Sequence, residues 1–517
     1  IFVDTNSKIW IATNCGLSLF DPFRETFRNF KDVSGIHYTI QRAIYNVYST
    51  SDDRIWVGTV SDLCYFDSKD TDLILSGKKN VNHMFIQDIY WGISNPTVYC
   101  VFEDSFKNVW IGSNGGGASF ISSTSSFFHS WRINKIPGVT NGLNDKEVLT
   151  ICVADNGNIW MGTDGGGINV NIDGRNCMFY SHDTGDISSN TYHSSLKDSN
   201  GDLWFGNMYN EMGIDVFISK EGRFIHYTPQ GNGSVIYCLF EDNQRNVWIG
   251  SNNGLEIYNL ITKKKDFLNK ENSQLLTNEI KAVSQDKNGN IWIGTLNKGI
   301  SIYNPESKTM KHINEHTIFE NCVINQIFRD SKNRIWIATT EGLVLFPNEQ
   351  SDTYQLFNTQ NGLACNLICS IEEDSEGNIW LSTHSGISCF IESEQRFLNY
   401  DHKDGTLFGT YMNNSVGKAQ DGTIYFGSIN GVCYFNPKDR PSNIILPPVI
   451  FTDFKVYGRN PHEDAIDTSI PMTNGKIMLN HNQNIFSITF NVMNKSLQGK
   501  VEYAYKLEGL EENWINI

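Results

Sequence analysis

Residues 237–258 decide how the chain is read. They run Tyr237-Cys-Leu-Phe-Glu-Asp242, then Asn246-Val-Trp-Ile-Gly-Ser251, then Gly254-Leu-Glu-Ile-Tyr258. These are three strand-like runs rich in β-branched and aromatic residues, separated by Asn, Asp and Gly, which accept the backbone conformations of tight turns. A fourth short run, Lys265-Asp-Phe267, follows. Working outward, the central aromatic recurs at Trp10, Trp56, Trp110, Trp160, Trp204, Trp248, Trp292, Trp336, Trp380 and, as a tyrosine, Tyr425, at spacings of 46, 54, 50, 44, 44, 44, 44, 44 and 45. An aliphatic residue always precedes it, and Gly, Ala or Ser stands two positions after it. Nine of the twelve tryptophans thus belong to one periodic feature.

A period of about 44 residues made of four short strands, with no sustained helical periodicity, predicts an all-β chain of β-propeller blades. Small residues such as Gly112, Gly162, Gly250 and Gly294 let neighbouring sheets approach, and the indole fills the gap that widens between blades. Each indole removes about 150–250 Å² from water, worth several kcal/mol before entropy, so these tryptophans read as structural. About ten four-stranded repeats fit the end of one seven-bladed propeller plus a complete second one. Seven repeats counted back from Tyr425 reach Trp160. The expected division is residues 1–140 for the last three blades of a first propeller, 141–445 for the second propeller, and 446–517 for a further β domain. The linker is expected near Pro137–Asn144. A single ten-bladed ring is the alternative, outside the usual range of four to eight blades. A three-blade arc should leave open sheet edges.

Composition bounds the function. The chain has 517 residues, 39% hydrophobic and 19% charged, which excludes wholesale disorder. No apolar run approaches the roughly 18 residues of a membrane span. A net charge of −16 argues against nucleic acid as a partner, because phosphate recognition needs a basic footprint. The chain opens Ile-Phe-Val-Asp within a strand pattern and stops after an apolar segment, and it reads as a piece of a longer protein.

The repeats resemble the two-component regulator propeller repeat, Asp-x-x-Gly-x-Ile-Trp-Ile-Gly-Thr-x-x-Gly. Asp374 to Ile387 and Asp155 to Ile168 carry the pattern, although Asp155 sits one residue nearer its tryptophan. An Asp lies six residues before Trp10, Trp110, Trp204, Trp248, Trp292, Trp336 and Trp380. The repeats at Trp56 and Trp204 depart from the pattern in the Gly loop. Met478 to Phe490 and Val501 to Trp514, with Tyr503-Ala-Tyr-Lys-Leu-Glu-Gly509, resemble the Y_Y_Y domain, the start of an Ig-like β-sandwich. The two resemblances imply the periplasmic ligand-sensing region of a hybrid two-component histidine kinase. They further imply an oligosaccharide ligand, a homodimer formed through the membrane-proximal region, control of polysaccharide-utilisation genes, and a membrane attachment only through segments beyond residue 517. The fragment itself is then no enzyme. A propeller interaction scaffold, or a propeller polysaccharide lyase or hydrolase, is the alternative.

Other motifs read blandly. Asp286-x-Asn288-x-Asn290 and Asp198-x-Asn200-x-Asp202 resemble the start of a calcium loop but lack its Gly and Glu, so they read as turns. His312-x3-His316 lacks an acidic partner, and no metal or cofactor is expected. No nucleophile or carboxylate pair stands out as catalytic. The cysteines, Cys100, Cys152, Cys238, Cys389 and Cys433 among them, read as small buried hydrophobes. Candidate ligand contacts are the aromatics outside the repeat pattern and their polar neighbours: Tyr90, Trp91, Trp131, Arg132, Tyr209, Asn210 and Glu211. Sugars stack on such rings and need polar partners for their hydroxyls.

Overall fold

In the computed structural model the residues described are all except 5–6, 31–42, 76–80, 85–94, 124–126, 134–141, 173–176, 209–212, 231–234, 315–316, 321, 349–352, 441–448, 457–471, 474–475, 478, 480–483, 493–502 and 517. They are almost wholly antiparallel β, as expected, and fall into two units, Ser125–Arg440 and Ile1–Thr124 with Pro441–Ile517.

The unit Ser125–Arg440 contains seven four-stranded antiparallel sheets. Six are contiguous in sequence and carry Trp160, Trp204, Trp248, Trp292, Trp336 and Trp380. The seventh is composite. Its three inner strands are Tyr411–Lys418, Ile424–Ser428 and Gly431–Phe435, and its outermost strand, His129–Trp131, comes from the start of the unit. The first strands of the sheets neighbour one another in cyclic order. The Ser415 hydroxyl donates to the Val148 carbonyl at 3.2 Å, which joins the last sheet to the first. The unit is therefore a closed seven-bladed ring. It begins at Ser125, whereas the repeat count placed the boundary at 141. The reason is burial: Phe127, Phe128 and Trp131 pack against Tyr425, Tyr434 and Phe435 of the closing sheet and Trp380 and Tyr400 of the sheet before it.

Two repeating contacts hold the blades. Each indole meets an aromatic ring of the following blade: Trp160 with Phe217, Trp204 with Tyr258, Trp248 with Tyr303, Trp292 with Phe346, Trp336 with Phe390 and Trp380 with Phe435, at centroid separations of 4.5 to 6.1 Å. Where a glycine stands two residues after the central aromatic of a ring blade, a side chain would collide with the next blade. A Cβ at Gly294 would stand 2.4 Å from Ile324 Cγ2, and one at Gly206 2.6 Å from Ile236 Cγ2.

A third contact locks the turn below every indole but that of Trp160. In the Trp248 blade one Asp242 oxygen accepts the Gln244 and Asn246 N–H groups at 2.9 and 2.8 Å. The other accepts the Asn246 amide and the Trp248 indole N–H, both at 2.8 Å. Asp4, Asp104, Asp198, Asp286, Asp330 and Asp374 accept the corresponding indole N–H groups at 2.8 to 3.2 Å. The carboxylates of Asp198 and Asp286 are committed to turn and indole, in keeping with the turn reading of those segments. In the Trp56 blade Thr50 replaces the Asp and accepts through its hydroxyl at 3.2 Å. In the Trp160 blade the same position is Ala154, and the buried Trp160 indole N–H has no partner.

The other unit contains, from residue 1, two four-stranded sheets around Trp10 and Trp56 and a three-stranded sheet around Trp110. Trp10 packs on Phe66 of the next sheet at 5.8 Å, repeating the contact seen in the ring. In its C-terminal part Val449–Val456 pairs with Phe486–Val492, with one shorter strand pair between them in sequence and another after them. No helix of the described residues is long and apolar enough to cross a membrane. No disulfide joins the eleven cysteines among the described residues. Cys152, Cys238, Cys389 and Cys433 are buried as expected, but Cys100 is exposed, on the first strand of the Trp110 sheet.

Candidate functional site

The first strand of each blade in the ring lines its central channel, and each strand is irregular near its start. Pairing skips one residue between Val148 and Thr150, Tyr192 and Ser194, Ile236 and Cys238, Ile280 and Ala282, Ile324 and Gln326, and Ile368 and Ser370. The skipped residues, 44 apart, are Leu149, His193, Tyr237, Lys281, Asn325 and Cys369. A β-bulge frees its extra residue from the ladder and re-aims the side chain, a device common near binding sites.

Three of these side chains touch in succession. Lys281 Nζ stands 3.3 Å from the centre of the Tyr237 ring, and the His193 imidazole meets that ring edge-on at 6.0 Å. Burial, followed by the Lys281 charge, holds the His193 imidazole down at about 4, so it is neutral near pH 7; the carbonyls of His193 and Tyr237 oppose the shift. Burial also lowers the Lys281 ammonium from its ordinary value, against the fields of Cys238 and Glu279, and raises the Tyr237 phenol. His193 Nδ1 is sealed from water and has no hydrogen-bond partner. Asn325, next in order, is already engaged, its amide donating to the Ile368 carbonyl at 2.7 Å.

Buried carboxylates fix the segments that lead into these strands. One Asp215 oxygen accepts from Ser188 N–H at 2.9 Å, from the Ser188 hydroxyl at 2.6 Å and from the Tyr192 hydroxyl at 2.5 Å. Its other oxygen faces His226 Nδ1 at 3.1 Å. One blade on, Glu256 accepts from the Tyr227 hydroxyl and from Gln230 N–H, each at 2.5 Å. Burial and the adjacent carboxylates push both phenols upward. This end of the channel is thus built on rigid, internally satisfied supports.

At the other end of the blades, an open groove of about 460 Å³ is lined by Ser199, Glu241, Asp242, Arg245, Gln285 and Arg329, among others. Its polar groups largely serve each other across the blades. Ser199 N–H donates to Glu241 at 2.6 Å, Arg245 faces the same carboxylate at 3.1 Å, and Asn243 N–H donates to Gln285 at 2.9 Å. The groove is a set of blade-to-blade latches.

Of the residues singled out from sequence, Tyr90, Trp91, Tyr209, Asn210 and Glu211 lie outside the described residues. Trp131 ends the closing strand and is buried against Tyr425 at 5.5 Å and Tyr434 at 4.7 Å. Trp131, outside the repeat pattern in sequence, thus holds a packing position in the closing blade. Arg132 follows, its carbonyl accepting Leu143 N–H at 2.9 Å. Sequence reasoning missed His193, Tyr237 and Lys281. The available signal was a column at the 44-residue period that reads His, Tyr, Lys and Asn amid apolar neighbours. Among the described residues no three His, Cys, Asp or Glu side chains are grouped to hold a metal ion. His312 instead faces the Ser301 hydroxyl at 3.0 Å, and His316 lies outside the described residues.

The family described as two component regulator propeller matches residues 92–115, 142–165, 230–253, 274–297, 318–341 and 362–385. The repeats around Trp10, Trp56, Trp204 and Tyr425 lie outside these segments. Among solved structures, the extracellular domain of a hybrid two-component system of B. thetaiotaomicron is 36% identical, with a TM-score of 0.77, over 100% of this chain and 67% of its own. A second such domain from that organism is 18% identical, with a TM-score of 0.52, over 100% of this chain and 68% of its own, and shares the fold. A curated relative, the histidine kinase P4 of Formosa agariphila, is 35% identical over 118 residues, which is 22% of this chain and 9% of that kinase's length.

Proposed function

The chain belongs to the two-component regulator propeller family, and from that premise we propose that it is the periplasmic ligand-sensing region of a hybrid histidine kinase whose ligand is an oligosaccharide. The observation that carries this reading is the 36% identity, along the whole chain, to the extracellular domain of a hybrid two-component system. The ring adds a physical argument. It is a rigid scaffold with bulged, partly polar side chains at one end of its channel, the kind of place where propellers hold small ligands. Tyr90, Trp91, Tyr209, Asn210 and Glu211 remain candidate sugar contacts by residue type.

In this reading the kinase chemistry belongs to other parts of the parent protein, and so does its membrane attachment. Ligand shifts the balance between two arrangements of a homodimer, which requires tighter binding to one of them. The output is control of polysaccharide-utilisation genes. The test is a calorimetric and thermal-shift panel of neutral and acidic oligosaccharides on the whole extracellular region. Saturable binding of one class supports the reading, and no binding across the panel overturns the oligosaccharide.

A further inference from the structure

We propose that His193, Tyr237 and Lys281 form a recognition site for a carboxylate-bearing ligand, a uronate or other organic acid, on the channel wall of the seven-bladed ring. The inference rests on the reading of the chain as a ligand sensor and names the chemical class that this part of it takes.

Four observations carry it. The three residues are the bulged members of consecutive first strands, so the ladder does not use them. Lys281 is half-buried in a chain of net charge −16, yet it makes no ion pair among the described residues, and its ammonium rests on the Tyr237 ring face alone. Glu279, two residues away, acts on it only through space. His193 Nδ1 is sealed from water without a partner, a cost of about 1–3 kcal/mol that a native structure rarely leaves standing without a use. Such a buried polar atom within the field of a cation suits an entering acceptor.

A carboxylate-bearing ligand supplies what each group lacks. The carboxylate lies against the Lys281 ammonium, and another oxygen of the same ligand accepts from the neutral His193 imidazole in its Nδ1–H tautomer. The Tyr237 hydroxyl, which has no hydrogen bond among the described residues, is a further donor. The site offers one full positive charge, so it balances a monoanion. A sulfate or phosphate dianion would bring a second charge into a negatively charged protein with nothing to meet it. A neutral sugar would leave Lys281 desolvated and unpaired.

The experiment is calorimetric titration of the full chain with sodium glucuronate, glucose and sodium sulfate at constant ionic strength, on the wild type, Lys281→Met and Lys281→Arg. Glucuronate should bind at least tenfold more tightly than glucose or sulfate. Lys281→Met, which keeps the apolar contact with Tyr237, should weaken glucuronate tenfold or more, and Lys281→Arg should stay within about threefold. If Lys281→Met does not fold, His193→Leu is the second variant, with an expected loss of about fivefold. Equal binding of glucuronate and glucose, or glucuronate binding untouched by these substitutions, overturns the proposal. A neutral oligosaccharide that binds wild type and variants alike would overturn it while leaving the oligosaccharide reading intact; no binding by any sugar, acidic or neutral, would overturn both.

Discussion

Replacing Asp242 with Ala removes an acceptor that serves four donors at once. Two are backbone N–H groups of an exposed turn, at Gln244 and Asn246, and water can reach them once the carboxylate is gone. The Asn246 amide can likewise turn outward. The Trp248 indole N–H cannot, since Trp248 is 1% exposed. Orphaning a buried donor costs about 2 kcal/mol, and loosening the turn about 1 more, for a total near 3 kcal/mol. For a unit of about 300 residues, with an unfolding entropy of about 2.1 cal/mol/K per residue, that lowers the melting temperature by about 5 °C. The Trp160 blade supplies the reverse experiment. Its turn keeps the shared backbone, with Ala154 N–H donating to the Asn158 carbonyl and Gly157 N–H to the Ala154 carbonyl, both at 3.0 Å, while the indole N–H above it is orphaned. Ala154→Asp should place a carboxylate under that indole and stabilise by about 1 kcal/mol. Asp155→Ala is the control, because Asp155 is exposed and holds only a surface ion pair with Lys197, worth less than about 1 kcal/mol. Calorimetric or fluorescence-detected melting of the four proteins decides the matter. The reasoning fails if Asp242→Ala melts with Asp155→Ala, or if Ala154→Asp melts below wild type.

Three further outcomes follow from the same structure. Gly294→Val should destabilise by about 2–4 kcal/mol in chemical denaturation, because the new Cβ would stand 2.4 Å from Ile324 Cγ2 of the next blade and the ring cannot widen at one joint alone. Phe127→Ala should cost about 3–5 kcal/mol and lower unfolding cooperativity, since Phe127 lies 5.3 Å from Phe435 and 6.0 Å from Trp380 and secures the closing strand; an unchanged midpoint would contradict the closure. The His193 value in the folded state, about 4, lies below the ordinary 6.5, so the unfolded chain binds the extra proton first. The stability this contributes is complete above pH 6.5 and is lost as pH falls toward 4. His193→Leu should therefore flatten the acid limb of the stability curve in that window, read by denaturant midpoints at pH 7, 5.5 and 4.

The blades were legible because their determinants are local. A Trp, the Asp six before it and the small residue two after it lie within nine residues, and the contacts they make recur every 44. Even the exception could be read, since the shift from Ala154 to Asp155 is visible in the sequence and its structural counterpart is an unpartnered indole. The closing strand was not legible. His129–Trp131 is three residues long and pairs with Gly431–Phe435 some 300 residues away, so no local pattern announces it, and Trp131 looked like a free aromatic. The channel site was hidden for another reason. A bulge is an irregularity of pairing, and strand alternation assigns His193, Tyr237 and Lys281 to a sheet face that the bulge takes them off.

The central claim is that ligand at this region is reported to a kinase. The direct measurement is autophosphorylation of the full-length parent protein, reconstituted in lipid vesicles, against the concentration of an oligosaccharide shown to bind the extracellular region. The account predicts that the phosphorylation rate changes and saturates with the same midpoint as binding, and that a binding-deficient variant loses the response while keeping basal phosphorylation. A ligand that saturates the extracellular region and leaves the rate unchanged would contradict it.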